Sequence, residues 1–241
     1  MIGCDCAVCH SSDPKNHRYR SCLHVETDSG FSILIDTPPE LRLAAIRSGL
    51  KRVDAVLFTH SHADHIFGLD DLRTFNWLQQ QEIPLYAEAP VLDDLSRAFS
   101  YIWRETQAGG GKPRLTLNPI AVGTSFVLGG LTIDALRVFH GELPILAFRF
   151  DKRVSYVTDV SAIPEETSAL VAGSEILLLD AVRRRPHPTH FHFDRALEVV
   201  RELKPKQTFF VHLSHDFDHD ATEKELPADI RLSYDGMVLT A

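Results

Sequence analysis

Seven short apolar runs carry the β-branched and aromatic content of strands: Phe31–Ile35, Val53–Phe58, Leu131–Phe139, Ile145–Phe150, Val154–Thr158, Ile176–Leu179 and Thr208–Val211. Runs this short predict buried strands rather than helices. Between them, apolar residues recur at helical spacing. Leu43, Ile46 and Leu50 share one face after Pro38-Pro39, and Leu72, Phe75 and Leu78 form a second stripe. Ala196, Leu197, Val199, Val200 and Leu203 form a third, with Asp194 expected as N-cap and Pro205 closing the helix. Asp151-Lys152 between two runs predicts a tight hairpin. Gly109-Gly110-Gly111-Lys112-Pro113 is the best candidate for a mobile loop, with a functionless loop tip as the alternative. Hairpins mixed with helical crossovers predict an α/β fold with mixed sheets in a single domain, residues 1–241.

The chain has 241 residues, 44% hydrophobic and 24% charged, which excludes a disordered or fibrous protein. Mean hydropathy is −0.09, and no stretch approaches the ~18–20 consecutive apolar residues of a membrane span. The start, Met1-Ile2-Gly3-Cys4-Asp5-Cys6, lacks the basic and apolar regions of a signal peptide, so a cytoplasmic location is expected. Lys and Arg total 25 against 33 Asp and Glu, a net charge of −8. That balance disfavours an extended nucleic-acid partner while allowing a local basic patch; no membrane partner is expected, and a homodimer is compatible. In a reducing compartment the four cysteines point to metal ligands or buried thiols rather than disulfides. Thirteen histidines are the informative excess.

The run Val53–Phe58 leads directly into Thr59-His60-Ser61-His62-Ala63-Asp64-His65. Three imidazoles and a carboxylate in six residues at a strand end suit a transition-metal site, against the competing reading of an exposed polar loop. Three further strand ends carry a donor: His140, Asp159 and His212. In this order after H-x-H-x-D-H, the set resembles the metallo-β-lactamase superfamily. The resemblance implies an αββα sandwich of two mixed β-sheets flanked by helices. It also implies two catalytic divalent metals, zinc or manganese: His60, His62 and His140 on one, Asp64, His65 and His212 on the other, with Asp159 bridging and a hydroxide between the ions. Asp64 is thereby among the catalytic candidates. Two such cations outweigh the carboxylates and the hydroxide, so an anionic substrate would be attracted despite the acidic chain.

Cys4-x-Cys6-x-x-Cys9 places three thiolates in six residues, one ligand short of a tetrahedral zinc site. A redox pair and plain surface thiols are the alternatives. His212-Leu213-Ser214-His215 offers two imidazoles that could serve two ions. Together these closely resemble the PhnP-type phosphodiesterases of the carbon–phosphorus lyase pathway. That resemblance implies a structural zinc on Cys4, Cys6, Cys9 and His215, a knot formed by residues 4–9, with His10 a rival fourth ligand. The family pattern places a strand and a Gly-rich turn before the Cys motif. Here Met1 stands two residues ahead of Cys4, so either the numbering starts at an internal Met or an element lining the site is missing. Cys22 is expected to be a buried small residue. In superfamily phosphodiesterases, including tRNase Z, a histidine just before a helix meets the scissile phosphate; His190 fits that spacing better than His192. Among Arg183-Arg184-Arg185, Arg183 is the candidate phosphate ligand. Arg18 and Arg20 are expected to buttress the Cys cluster. His17, His24, His187 and His219 are expected at the surface without function.

The function these readings favour is a binuclear phosphodiesterase acting on a small cyclic phosphate or nucleotide-like phosphodiester. The enzymatic alternatives are tRNA 3′ processing, which the net charge disfavours, and a glyoxalase II-like thioester hydrolase, which has no need of His190. A noncatalytic zinc module has no reason to keep the full H-x-H-x-D-H set.

Overall fold

Leu23–Glu26 (β1) alternates half-buried and exposed side chains, whereas Ser32–Ile35 (β2) is buried at every position. Position explains the contrast. β1 is the edge of a sheet ordered β1-β2-β3-β4-β5, completed by Ala55–Leu57 (β3), Ile83–Ala87 (β4) and Leu115–Pro119 (β5). The β1/β2 pair is antiparallel and the other three pairs are parallel. Parallel neighbours require crossovers. These are Leu41–Ser48 (α1), then Ala63–Ile66 (α2) with Leu72–Gln79 (α3), then Ala89–Ala98 (α4). A further strand, Ser125–Leu128 (β6), stacks Phe126 on Tyr86. The computed structural model describes residues 1–105 and 111–241, which fall into two compact units, and the elements above belong to Arg20–Leu131. Gly109 and Gly110 of the expected loop lie outside the described residues.

Two helical faces in this unit differ from the sequence expectation. On α1, Leu43 is 46% and Ile46 67% exposed, while Leu41, Ala45 and Leu50 pack on the core. The reason is the helix end. Gly49 takes a left-handed φ of 71°, and the Leu50 N–H closes back on the Ala45 carbonyl at 2.9 Å, turning Leu50 under the helix. On α3, Leu72 and Phe75 are buried as expected but Leu78 is 52% exposed. Asn76 takes the interior position, donating to the Gln81 and Arg114 carbonyls and accepting from the Arg114 N–H. A buried amide with its bonds satisfied serves backbone that a leucine would leave unpaired.

The second unit joins Met1–Tyr19 to Thr132–Ala241. Its strands are Leu131–His140 (β7), Leu143–Phe150 (β8), Val154–Val157 (β9), Ile176–Asp180 (β10), Gln207–Val211 (β11) and Ile230–Leu232 (β12). They run in the order β12-β11-β10-β9-β8-β7, antiparallel at β7/β8 and β8/β9 and parallel from β9 to β12. Its helices are Glu165–Val171 (α5), Phe193–Leu203 (α6) and His219–Glu223 (α7). β10 is buried at all five positions, as its unbroken Ile-Leu-Leu-Leu run requires. The N-cap of α6 is His192, not the expected Asp194, which instead places its charge in the first turn. The expected closure holds: Lys204 turns left-handed and Pro205 follows.

Each unit has its own apolar cluster and is a mixed sheet with helices, the α/β class expected. In each, the candidate ligands sit at or just after strand C-termini. Asp36 follows β2 and Thr59-His60 follow β3; His140 ends β7, Asp159 follows β9, Asp180 ends β10 and His212 follows β11. Among the described residues, no helix is long and apolar enough to cross a membrane.

The β8/β9 hairpin gives a direct test of backbone strain. Asp151 and Lys152 have φ of 46° and 59°, and Asp151 is tied to Thr132 by two 2.8 Å bonds. Lys152→Gly should raise the urea midpoint, with a gain of about 0.5–1 kcal/mol, because a left-handed backbone costs glycine nothing. Lys152→Val should lower it by a similar amount or more.

Candidate metal centre

In the Arg20–Leu131 unit, three histidines are brought together by one tight segment after β3. The His60 ring centroid lies 4.6 Å from that of His62 and 4.2 Å from that of His65. Asp64 brings a carboxylate oxygen within 3.7 Å of His65 Nε2. His60 and His65 are 2% and 0% exposed, so their hydrogen bonds decide what the rings can do.

Those bonds converge on Asp36, which sequence reasoning missed. Asp36 is fully buried with a left-handed φ of 66°. It accepts from the Thr59 N–H at 2.9 Å, the Thr59 hydroxyl at 2.8 Å and His65 Nδ1 at 2.8 Å. Because the Thr59 hydroxyl gives its proton to Asp36, its oxygen accepts from His60 Nδ1, 2.9 Å away. Both rings therefore carry hydrogen on Nδ1 and present the Nε2 lone pair, as histidine ligands do. Burial pushes the Asp36 carboxyl above its ordinary value, opposed by His65 and the Thr59 bonds. The sequence did contain a signal: Asp36 closes the run Phe31–Ile35 just as Asp159 closes its own strand.

The second unit repeats the device. His140 Nδ1 donates to the Thr189 carbonyl at 2.8 Å. The turn that begins beside it uses Gly141 at φ 62°, where a Cβ would come within 2.9 Å of the Thr189 methyl. Thr189 can thus approach only a glycine. His190 Nδ1 donates to Asp180 at 2.7 Å, and the same carboxylate oxygen accepts the Val160 N–H at 3.0 Å. The His190 ring lies 4.5 Å from His140 and stacks on His212 at 4.8 Å. Ligand atoms of His140, Asp159 and His190 all lie within 4.8 Å of one another. Asp159 and His212 are held at φ 55° and 57°, with His212 Nε2 3.5 Å from an Asp159 oxygen. Asp180, fully buried, is a second residue whose role the sequence did not reveal.

The other candidates are placed as follows. His192 caps α6, while His187, expected at the surface, lies half-buried with its ring 4.8 Å from His190. His219, also expected at the surface, is 4% exposed; its N–H docks on the Asn16 side chain at the start of α7. His17 and His24 are exposed as expected. Arg183 donates to the carbonyls of Arg185 and Pro186 in its own loop. Arg184 grips Glu225 through two 2.9 Å bonds and lies over Phe193 and Phe217.

The Cys cluster lies wholly within the second unit. Cys4, Cys6, Cys9 and His215 present donor atoms all within 4.8 Å of one another, with His215 Nδ1 3.3 Å from Cys4 Sγ and 3.4 Å from Cys6 Sγ. The Cys9 N–H, and then His215, hold the Cys6 thiol down at about 6. Three sulfurs and one imidazole nitrogen fit a closed tetrahedral zinc shell. His10 faces Asp5 instead, at 3.4 Å. Arg18 donates to the Ser214 and Phe217 carbonyls on either side of His215, as a buttress should, whereas Arg20 pairs with Glu40. Cys22 is half-buried against the other core, donating to the Asp36 carbonyl.

Two mixed sheets with histidines and carboxylates at their strand ends define a metallo-β-lactamase fold. The beta-lactamase superfamily domain matches residues 27–213. The chain belongs to this superfamily and stands close to its PhnP family. A diphosphatase of the PhnP family superposes with a TM-score of 0.91 at 40% identity, covering 100% of this chain and 91% of that one. An octanoyltransferase of Porphyromonas gingivalis is 35% identical over 238 residues, 98% of this chain but 48% of that protein. A ribonuclease Z of Bradyrhizobium diazoefficiens is 30% identical over 146 residues, 58% of this chain and 46% of that protein. The chain thus spans about half the length of these curated relatives.

The two histidines of H-x-x-H should separate by metal analysis. Cys6→Ser and His215→Ala should each remove one zinc per chain and lower Tm by roughly 5–10 °C, taking ~2–3 kcal/mol for the lost staple. His212→Ala should leave that zinc in place. Loss of the same metal from both histidine variants would refute two separate sites. Asp36→Asn should weaken metal retention in the three-histidine segment by about 10–100-fold, measured by chelator competition.

Proposed function

We propose that this chain is a metal-dependent phosphodiesterase acting on a small phosphodiester, cyclic or nucleotide-like. The observation that carries the reading is the Asp180–His190 bond of 2.7 Å beside His140 and His212, in a chain 40% identical to a diphosphatase. In this reading His60, His62 and His140 would hold one divalent ion, Asp64, His65 and His212 the other, and Asp159 would serve both. Zinc and manganese both suit such mixed donors. When bound, the ions supply Lewis acidity to the phosphate and lower the pKa of the attacking water.

The chain's own groups supply the rest. Asp180 fixes the His190 tautomer, so Nε2 is the atom that meets a phosphate oxygen and exchanges a proton with the leaving oxygen. Asp36 and Thr59, and the Thr189 carbonyl, orient the ligand rings before any ion arrives. Asp64 adds a carboxylate to the three-imidazole segment, balancing the ions' charge. Arg183 is the proposed additional phosphate contact, released from its loop carbonyls to form a bidentate pair. Cys4, Cys6, Cys9 and His215 hold a structural zinc with no open position.

A second reading, RNA 3′ processing, draws on the 30% identity to a ribonuclease Z over 146 residues. A substrate panel separates the two. Hydrolysis of bis-p-nitrophenyl phosphate or a dinucleoside diphosphate should exceed that of acyl thioesters and of pre-tRNA in kcat/KM; the reverse order would overturn the proposal. His190→Ala should lower phosphodiester kcat by ~10²–10⁴-fold with metal content intact. A loss of less than about threefold would remove His190 from the reaction. His62→Ala and Asp159→Ala should abolish turnover while the far-ultraviolet spectrum is kept.

A further inference from the structure

A cleft of about 620 Å³ opens in the second unit, bordered by β11, the edge strand β12, α7 and residues 237–239. None of its lining residues belongs to the metal-ligand clusters. Its size is within the roughly 300–1,000 Å³ of small-molecule sites. Tyr234 forms an apolar floor over the buried Phe209 and Leu232, 7% and 0% exposed, with Met237, Val238 and Leu239 as one wall. That wall stands in water: Val238 is 87% exposed and Leu239 37%.

The charges around this floor do not cancel. Lys15 lies 3.7 Å from Asp220, and Arg231 lies 3.2 Å from Glu223. Lys224, the third cation on the lining, makes no ion pair among the described residues. His219 adds no charge, since burial pushes its imidazole below the ordinary value. One uncompensated ammonium thus faces an apolar surface in a chain whose net charge is −8. The Lys15 ammonium lies over Tyr234, 5.7 Å from the ring centroid, and His219 meets the same ring at 82° with centroids 5.6 Å apart, so a flat ring has no clear stacking partner there. An aliphatic body suits the floor better.

We propose that this cleft binds a small amphipathic anion, an aliphatic carboxylate or alkyl phosphate, with its chain along Tyr234 and the Met237–Leu239 wall and its head on Lys224. The proposal stands independently of the phosphodiesterase reading. Binding would also be felt at a distance. Lys15 adjoins Asn16, whose amide donates to Asp218 at 3.0 Å and whose oxygen accepts the His219 N–H at 2.8 Å. The cleft therefore shares a strap with the chain start that carries the Cys cluster, and occupancy should raise Tm.

Isothermal titration of the metal-loaded protein with hexanoate and with hexyl phosphate provides the test. One ligand should bind per chain, and the stronger of the two identifies the head group. Lys224→Glu and Val238→Asp, both at exposed positions, should each weaken binding by about tenfold or more with unchanged melting of the ligand-free protein. Acetate and 1-hexanol, each carrying half of the recognition, should bind at least about tenfold more weakly than hexanoate. Absence of saturable binding would overturn the proposal. So would affinity unchanged in both variants, or competitive inhibition of hydrolysis insensitive to Lys224→Glu, which would place the anion on the catalytic ions.

Discussion

The structure of each unit's site depends on one interaction: a fully buried carboxylate holding the Nδ1–H of an imidazole. Asp36 holds His65 at 2.8 Å and Asp180 holds His190 at 2.7 Å. A buried charge is tolerated only when it is paired and hydrogen-bonded, so these carboxylates must recruit donors from several segments at once. Asp36 recruits the Thr59 amide and hydroxyl, and Asp180 the Val160 amide. The same bonds that make burial affordable also fix the ring tautomers. Stability and chemistry are met by one set of contacts.

The strand ends supply the geometry. Parallel strands within each sheet finish on a common edge, and the residue at or after the end can point away from the ladder without breaking it. Asp36, Asp159 and His212 do so by entering the left-handed backbone region, with φ between 55° and 66°. Asp and His tolerate this better than most side chains, but it still costs on the order of 1–3 kcal/mol per residue. The cost is offset by the buried strands that lead into these positions, such as β2 and β11. Apolar runs ending in a polar, strained residue are thus a single device used repeatedly.

The chain start is held by a different logic. A terminus frays unless tied down, and here it is tied by polar side chains rather than by a core. Asn16 bridges Ser11, Asp218 and His219, Arg18 spans the carbonyls around His215, and the Tyr19 amide donates to Asp235. The cysteines then meet His215 in a preorganised pocket. His212 and His215 lie three residues apart just after β11, so loosening the strap loosens the segment that carries both.

By itself the sequence determined what depends on short separations. H-x-H-x-D-H after an apolar run, the strand-end positions of His140, Asp159 and His212, the C-x-C-x-x-C spacing and the Asp151-Lys152 turn are all fixed within one strand or turn. Seven runs likewise marked seven of the twelve strands and three stripes three of the seven helices among the described residues, with β1, β4, β5, β6 and β12 and α2, α4, α5 and α7 going unmarked. The tertiary structure alone decided which groups answer each other. Asp36 and Asp180 are, in sequence, no different from any acid at a strand edge; only the distant Thr59, His65 and His190 make them ring-holders. The buried faces of α1 and α3 turned on a left-handed cap at Gly49 and on backbone that Asn76 had to satisfy, neither of which periodicity encodes. His219 was expected at the surface because its burial is created by Asn16, some two hundred residues away in the chain. Local pattern records what a residue can do, whereas its burial and its hydrogen-bond partners are set by segments that meet only when the chain is folded.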